Sequence, residues 1–542
     1  MDNHEEKLPP LSYRKQTSSN PYTPLIYALV LSFGVMLGFL VNSITTGKQT
    51  LLNSSYDKIE DILNYVDVKY VDTINRAELT DKAIDKLLSN LDPHSVYIPK
   101  RDVGEMNESL EGNFEGIGIE FFIVQDTITV VTAISGGPSE TVGLKAGDRI
   151  IKINDSIVAG VKIKDTGVKQ RLRGPKGTTV KVSILRGNAS KLIDFEIVRD
   201  KIPLYSIDAS FMVNNETGYI RIGTFSSTTH EEFVQKFSEL NDKGMSKLIL
   251  DLRGNPGGYL QAATALADEF ISGEKLIVYT KGKSFERQDY RAHTNGMFEK
   301  GNLCILIDQG SASASEILAG AVQDWDRGTI IGRTSFGKGL VQEQYDLRDG
   351  SALRLTVARY YTPSGRSIQR SYDKGSDEYY NDIYERYQRG EFVHQDSIVS
   401  KDTTVYQTSK GKRVYGGGGI RPDVFVAMDT STNNEYFLTA RSFVPEFVYR
   451  YSSTHADVLE KFKSPEDFKK NFVVLDELVN EFYQYTETKG LKIGTEKQQL
   501  IVSKLKLNLK AFLAKQRWRT DGYYYIQNGD DEVIKAALEA LK

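Results

Sequence analysis

Four short stretches hold residues that could do chemistry. The first, "GSASASEILAG" (310–320), places Ser311, Ser313 and Ser315 among alanines, between the apolar runs "LCILI" and "ILAGA". Ser313 and Glu316 fit a helix capping box, so a plain helix start is one reading. The other is a nucleophile. A serine where a strand turns into a helix lies beside unpaired backbone N–H groups and the positive end of a helix dipole, both of which favour an oxyanion. The second stretch, "FGKGLVQ", sets Lys338 between glycines with Gln342 four residues on. A solvated lysine, with a pKa near 10.4, is no base at neutral pH. Burial beside Phe336, Leu340 and Val341 can lower it, and a three-unit drop costs about 4 kcal/mol. Gln342 could hold the neutral amine without adding charge, whereas a carboxylate there would raise the lysine again. An ordinary surface lysine in a turn is the alternative. The third, "DLRGNPGGYL", ends in Gly257 and Gly258, whose N–H groups could face an oxyanion, or simply turn a strand into a helix. The fourth, "FEGIGIEF", offers Gly116, Ile117, Gly118 and Ile119 as backbone donors for a peptide carboxylate beside a strand edge that could accept the peptide.

These stretches need particular elements around them. From Ile202 onward strand-like and helix-like segments alternate, which predicts βαβ units and a largely parallel sheet. Both the Ser-rich and the Asn-Pro-Gly-Gly stretches then fall at carboxyl ends of strands, where sites of such sheets lie. From Phe114 to about residue 200 short strands and glycine turns predict a compact β-rich unit. Residues 50–112 read as helical, with a break at Asp92-Pro93. Residues 372–415 are polar, rich in tyrosine and weakly periodic, and read as a surface insertion. "GGGG" at 416–419 reads as a loop, and residues 431–542 as helical with no chemistry in view.

Composition sets limits. A chain of 542 residues needs several cores. A net charge of −3 without a basic stripe gives no reason to expect nucleic-acid binding. The six histidines stand in no zinc-binding spacing, and the lone Cys304 reads as a buried strand residue. Leu25 to Val41 carries no charge and, continued to Ile44, is long enough to span a bilayer. Arg14 and Lys15 before it favour an inside N-terminus. A cleaved signal peptide, cut near Val41-Asn-Ser43, is the rival; either way the rest of the chain is exported.

Taken together, "LDPHSVYI", "FEGIGIEF", "GLKAGDRI", "LRGPKGT", "LDLRGNPGG", "GSASASEILAGA", "GRTSFGKGLVQ" and "YYTPSGRSIQ" resemble, in order, the C-terminal processing peptidases, or tail-specific proteases. The resemblance covers roughly residues 50–371 and 416–428. It implies a multidomain α/β fold: a crotonase- and ClpP-like protease core over 201–371 and 416–430, with a PDZ domain at 113–200. A cytoplasmic tail (1–24), a transmembrane helix (25–44), an N-terminal helical module (45–112) and a helical C-terminal domain (431–542) complete the expected order. It also implies Ser313 as nucleophile, Lys338 as general base and Gln342 as its orienting partner. The oxyanion donors would be Gly257, Gly258 and Ala314. Gly116 to Ile119 would bind a peptide carboxylate, and Arg173 would link peptide occupancy to the core. Neither metal nor other cofactor is implied. The expected partners are proteins with free apolar C-termini, outside the cytoplasmic membrane or in the periplasm. Homo-oligomers or adaptors are left open, with the insertion and tail as candidate surfaces. The family passes from "PSGRSIQ" to "GI-PD" within about ten residues, so the long insertion here is a departure. Two rivals stand beside this reading: a non-catalytic PDZ scaffold, which would lack the serine, lysine or glutamine, and an acyl-CoA hydratase or hydrolase, which has no use for a PDZ domain or a Ser-Lys pair.

Overall fold

The computed structural model describes residues 22–50, 54–187, 189–293, 295–399, 404–430 and 434–542; side chains at 41–50, 54–57 and 456 are outside this description. The expected cytoplasmic tail therefore lies, up to residue 21, outside the described residues. The chain divides into two compact units, 1–83 and 84–542.

In the first unit, α1 (Thr23–Thr50) includes a window, Thr23–Leu40, long and apolar enough to cross a membrane, and none of that window is buried. The next helices are α2 (Ser54–Lys69) and α3 (Arg76–Leu88). Arg76 at the start of α3 donates to Asp67 and Asn64 of α2, each at 3.1 Å.

The second unit opens with β1 (Val96–Ile98), α4 (Lys100–Glu111) and β2 (Asn113–Gly116). The β-rich segment follows as β3 (Ile119–Val124), β4 (Thr127–Ala133), α5 (Pro138–Thr141), β5 (Arg149–Ile153), β6 (Ser156–Ile157), α6 (Asp165–Leu172), β7 (Thr179–Leu185) and β8 (Ile193–Val198). Its strands pair in the order β3-β4-β5-β7-β8, with β6 on β5. Period-2 patterning turns Ile128, Val130, Val180, Val182 and Ile184 inward against Val168 and Leu172 of α6. Then β9 (Asp200–Pro203) returns to pair antiparallel with β2, so the segment enters and leaves through one ribbon.

The core is built from β10 (Ile207–Met212), β11 (Thr217–Ile222), α7 (Thr229–Asn241), β12 (Lys247–Asp251), α8 (Leu260–Asp268), β13 (Leu276–Lys281), β14 (Gln288–Arg291), β15 (Asn302–Ile307), α9 (Ala314–Asp324), β16 (Thr329–Gly332), β17 (Leu340–Asp346) and β18 (Ala352–Tyr361). Beyond them lie α10 (Ser376–Gln388), β19 (Val405–Gln407), β20 (Arg413–Tyr415) and β21 (Val424–Phe425). One sheet runs β10-β11-β12-β15-β16-β21 and is parallel from β11 onward, as the alternation of strands and helices predicts. A second, antiparallel sheet runs β1-β18-β13-β14, with β17 also on β18. Small residues let α9 pack closely, and every one of its residues is buried.

The C-terminal helices are α11 (Glu435–Thr454), α12 (Ala456–Glu460), α13 (Pro465–Asn471), α14 (Asp476–Thr488), α15 (Thr495–Gln527) and α16 (Glu532–Ala540). Most share their own aromatic core. The expected helical C-terminal segment is seen, and its last helix also reaches the core: Val533, Ile534 and Ala537 of α16 cover Tyr219, Ile249, Cys304 and Leu306 on the parallel sheet. Two other expectations differ from the structure. "SVYI", read as part of a helical module, forms strand β1, because its edge pairs with β18. The insertion is not merely a surface feature, since Tyr379 and Arg386 of α10 are buried.

Candidate active site

Strands β12 and β15 are parallel neighbours, so the loops after them emerge side by side. Asn255 locks them together. Its backbone carbonyl accepts from the Ala312 N–H (3.0 Å) and the Ser315 hydroxyl (3.1 Å), while its side chain donates to the Ile222 carbonyl (2.9 Å). The turn that follows is tight. A Cβ on Gly257 (φ +99°) would stand 2.7 Å from the Ser313 Cβ and 2.9 Å from the Ala314 nitrogen. A Cβ on Gly258 would fall 1.9 Å from the Phe225 carbonyl oxygen. Glycine is required at both for close approach.

The structure separates the three serines. The Ser311 hydroxyl donates to the Leu252 carbonyl at 2.8 Å, and the Ser315 hydroxyl to Asn255; both residues are fully buried. Ser313 is part-exposed and heads α9 in a capping box with Glu316, and among the described residues its hydroxyl donates to no backbone carbonyl. It also sits at φ 54°, ψ −113°, a strained setting for a serine at a strand-to-helix turn. Among the described residues, the N–H groups of Ala314 and Gly258 have no hydrogen-bond partner. The Gly257 N–H does have one, the Asn255 side-chain oxygen at 2.8 Å. Of the three expected oxyanion donors, Gly257 is thus the one whose N–H is already occupied in this structure.

Lys338 lies in the loop between β16 and β17, not on a strand, and its ammonium nitrogen Nζ is 3.0 Å from Gln342 Oε1. Burial holds its pKa below the ordinary lysine value, helped by Arg354 and opposed by Glu316 and Asp92. Gln342 is itself fixed, donating from Nε2 to the His94 carbonyl at 2.6 Å. The His94 turn is fastened by Asp92, which accepts from the His94 and Ser95 N–H groups and the Thr356 hydroxyl at 2.8–2.9 Å. Ser313 and Lys338 are not hydrogen-bonded to each other here.

Glu316 joins the two loops, a role that its reading as a helix-start residue missed. Its Oε2 accepts from the Ser313 N–H (2.8 Å) and the Lys338 N–H (2.9 Å); its Oε1 accepts from the Gly337 N–H (2.7 Å) and the Ser335 hydroxyl (2.5 Å). Burial raises its pKa while these four donors oppose the rise. The Tyr360 hydroxyl makes a second tie, donating to the Lys338 carbonyl at 2.8 Å and lying 3.2 Å from that of Ser313. The signal for Glu316 was present in the S-x-x-E spacing. Nothing in sequence pointed to Tyr360 or His94 as neighbours of the lysine.

The remaining expected residues stand apart, in the β-rich segment. The N–H groups of Ile117 and Gly118 have no partner among the described residues, whereas Gly116 ends β2 and Ile119 begins β3. Arg173 points to α4: its Nη1 donates to both Glu108 oxygens (2.9 and 2.8 Å), and its guanidinium lies 4.9 Å over the Phe114 ring.

Comparison with known proteins gives this geometry a context. Residues 216–375 match Peptidase family S41, residues 116–197 match the PDZ domain, and residues 436–519 match a family of unknown function. The carboxy-terminal-processing protease of Bartonella bacilliformis is 37% identical over 334 residues, covering 61% of this chain and 76% of that one. This chain belongs to the carboxy-terminal processing proteases. Carboxy-terminal processing proteases CtpB and CtpA of Bacillus subtilis are 36% and 34% identical over 321 and 349 residues. They cover 59% and 64% of this chain, which spans 66% and 74% of their lengths. As a carboxy-terminal processing protease the chain falls in a class of serine-type peptidases, with a PDZ domain for peptide C-termini. The S41 match stops at residue 375, immediately before α10.

Proposed function

We propose that this protein is a serine endopeptidase that cuts exported proteins presented by their C-terminal tails, using Ser313 as nucleophile and Lys338 as general base. The observation that carries the reading is the contrast among the serines. Ser311 and Ser315 have their hydroxyls bonded to backbone carbonyls, while Ser313 is strained, part-exposed, and beside an unpartnered Ala314 N–H.

In the forward step, the neutral Lys338 amine takes the Ser313 hydroxyl proton as Oγ bonds to the scissile carbonyl carbon. The Ala314 and Gly258 N–H groups receive the oxyanion. The carbon–nitrogen bond breaks, and the proton passes from Lys338 to the leaving amine. In the second step, Lys338 deprotonates a water that attacks the ester, the carboxylate product leaves, and the proton returns to Ser313. Gln342 holds the amine without adding a charge, while burial and Arg354 lower its pKa. Closure of the Ser313–Lys338 hydrogen bond belongs to the substrate-bound state, since catalytic contacts are often loose without substrate.

The Ile117–Gly118 loop would take the substrate's terminal carboxylate, with the tail added along β3. Arg173, which pairs with Glu108, would pass occupancy on to α4. The apolar α1 supports a membrane anchor with the catalytic part outside. The test is cleavage of an unfolded, apolar-tailed protein by the full chain. Ser313→Ala and Lys338→Ala each abolish cleavage on this reading. Undiminished cleavage by Ser313→Ala refutes it, and tail binding without cleavage by the unaltered chain points to a scaffold.

A further inference from the structure

The polar composition of residues 372–415 predicts a surface insertion, and α10 falls outside the S41 match, yet its buried side chains reach the site. Tyr379 is 2% exposed and Arg386 5% exposed. The Tyr379 hydroxyl lies 2.9 Å from His94 Nε2, with the two rings edge to face at 5.2 Å. The neighbouring Tyr380 hydroxyl donates to the Pro93 carbonyl at 2.7 Å. Two tyrosines of one helix thus hold the Pro93–His94 turn, whose carbonyl orients Gln342, which in turn orients Lys338. The same helix holds the lysine loop directly. Arg386 donates to the Ser335 carbonyl at 3.0 Å and the Thr334 carbonyl at 3.1 Å, with its charge met by Glu391 at 2.9 Å. Between the two clamps the Arg370 guanidinium lies 3.9 Å over Phe336 and 4.0 Å over Tyr379, tying the loop to the helix.

We infer that α10 is a positioning element of the protease site, clamping both the loop that carries Lys338 and the turn that orients its glutamine partner. The inference rests on the Ser-Lys reading above and adds to it an insertion that the family pattern lacks. Burial pushes the His94 imidazole down to about 3, so the ring is neutral and brings no charge as it shares a hydrogen bond with the Tyr379 hydroxyl. The groups that face Lys338 are Arg354 on β18, Glu316 on α9, and Asp92 and His94 before β1; α10 brings no charge to it, only position. Loosening α10 therefore acts by admitting water to the amine, which moves the lysine back toward its ordinary value.

The test uses the full chain with Tyr379→Phe and Tyr380→Phe together, which keep both rings and remove only the hydroxyls. Two hydrogen bonds of this kind predict a drop of about tenfold in kcat, with KM little changed. A second readout does not depend on cleavage. In a Ser313→Ala background, acylation of Lys338 is followed by mass spectrometry across pH; the double change is expected to raise its titration midpoint. Tyr384→Phe, on the exposed side of the same helix, is expected to alter neither. An unchanged kcat with an unchanged Lys338 midpoint in the double variant overturns the inference. Should Ser313→Ala itself cleave, the nucleophile assignment falls, and the Lys338 titration still decides the role of α10.

Discussion

Replacing Glu316 by glutamine probes the joint between the two loops. The carboxylate accepts four hydrogen bonds, two on each oxygen, at a fully buried position. A glutamine amide can present an oxygen to one pair only. Its NH₂ is best placed toward Ser335 and Gly337, because the Ser335 hydroxyl can turn to accept, but the Gly337 N–H then faces another donor. One buried donor left unpaired costs about 1–3 kcal/mol, and bonds to a charged acceptor are each worth about 1.5–3 kcal/mol. A loss of about 3 kcal/mol in holding Ser313 and Lys338 together corresponds to roughly a hundredfold in kcat. The change also removes a negative charge that raises the Lys338 pKa. The acid limb of the pH–rate profile is therefore expected to move to lower pH as kcat falls, opposite to the shift expected from loosening α10. The assay is kcat and kcat/KM on a tail-bearing substrate across pH. A kcat within about twofold of the unaltered chain, or a limb that moves up, would refute this account of Glu316.

Gly257→Ala is expected to lower kcat by about a hundredfold, as loss of one oxyanion donor does, because its Cβ would crowd Ser313 and the Ala314 nitrogen; steady-state kinetics check this. Lys338→Met is expected to abolish cleavage yet raise the melting temperature. A lysine whose folded pKa is depressed penalises the fold fully below that pKa and not at all above the unfolded value of about 10.4. The gain is therefore expected at neutral pH and fades as pH approaches 10.4, which melts at several pH values will show. Amidating the terminal carboxylate of a substrate tail is expected to raise KM with little effect on kcat, since the Ile117 and Gly118 donors act on binding.

The alternation of strands and helices was legible in the sequence because period-2 and period-3.6 patterns survive wherever one face is buried. The pairing of Lys338 with Gln342 was legible in the i, i+4 spacing of "FGKGLVQ". Other parts depend on tertiary pairing. "SVYI" is too short to declare itself a strand without β18, and His94 becomes a neighbour of Gln342 only because that pairing brings it there. The insertion's polar composition hid Tyr379 and Arg386, whose burial comes from partners distant in sequence, at His94 and Ser335. Gly257 was given a donor role by its type, but the Asn255 side chain takes its N–H, a competition that spacing alone does not reveal.

The most direct test of the central claim is to find the acyl group. Turnover of a tail-bearing substrate is quenched with acid, the protein is digested, and the peptide spanning residues 310–320 is analysed by mass spectrometry. An ester on Ser313 that disappears as product is released is the predicted result. An adduct on Ser311 or Ser315, or full turnover with Ser313 unmodified at every quench time, contradicts the account.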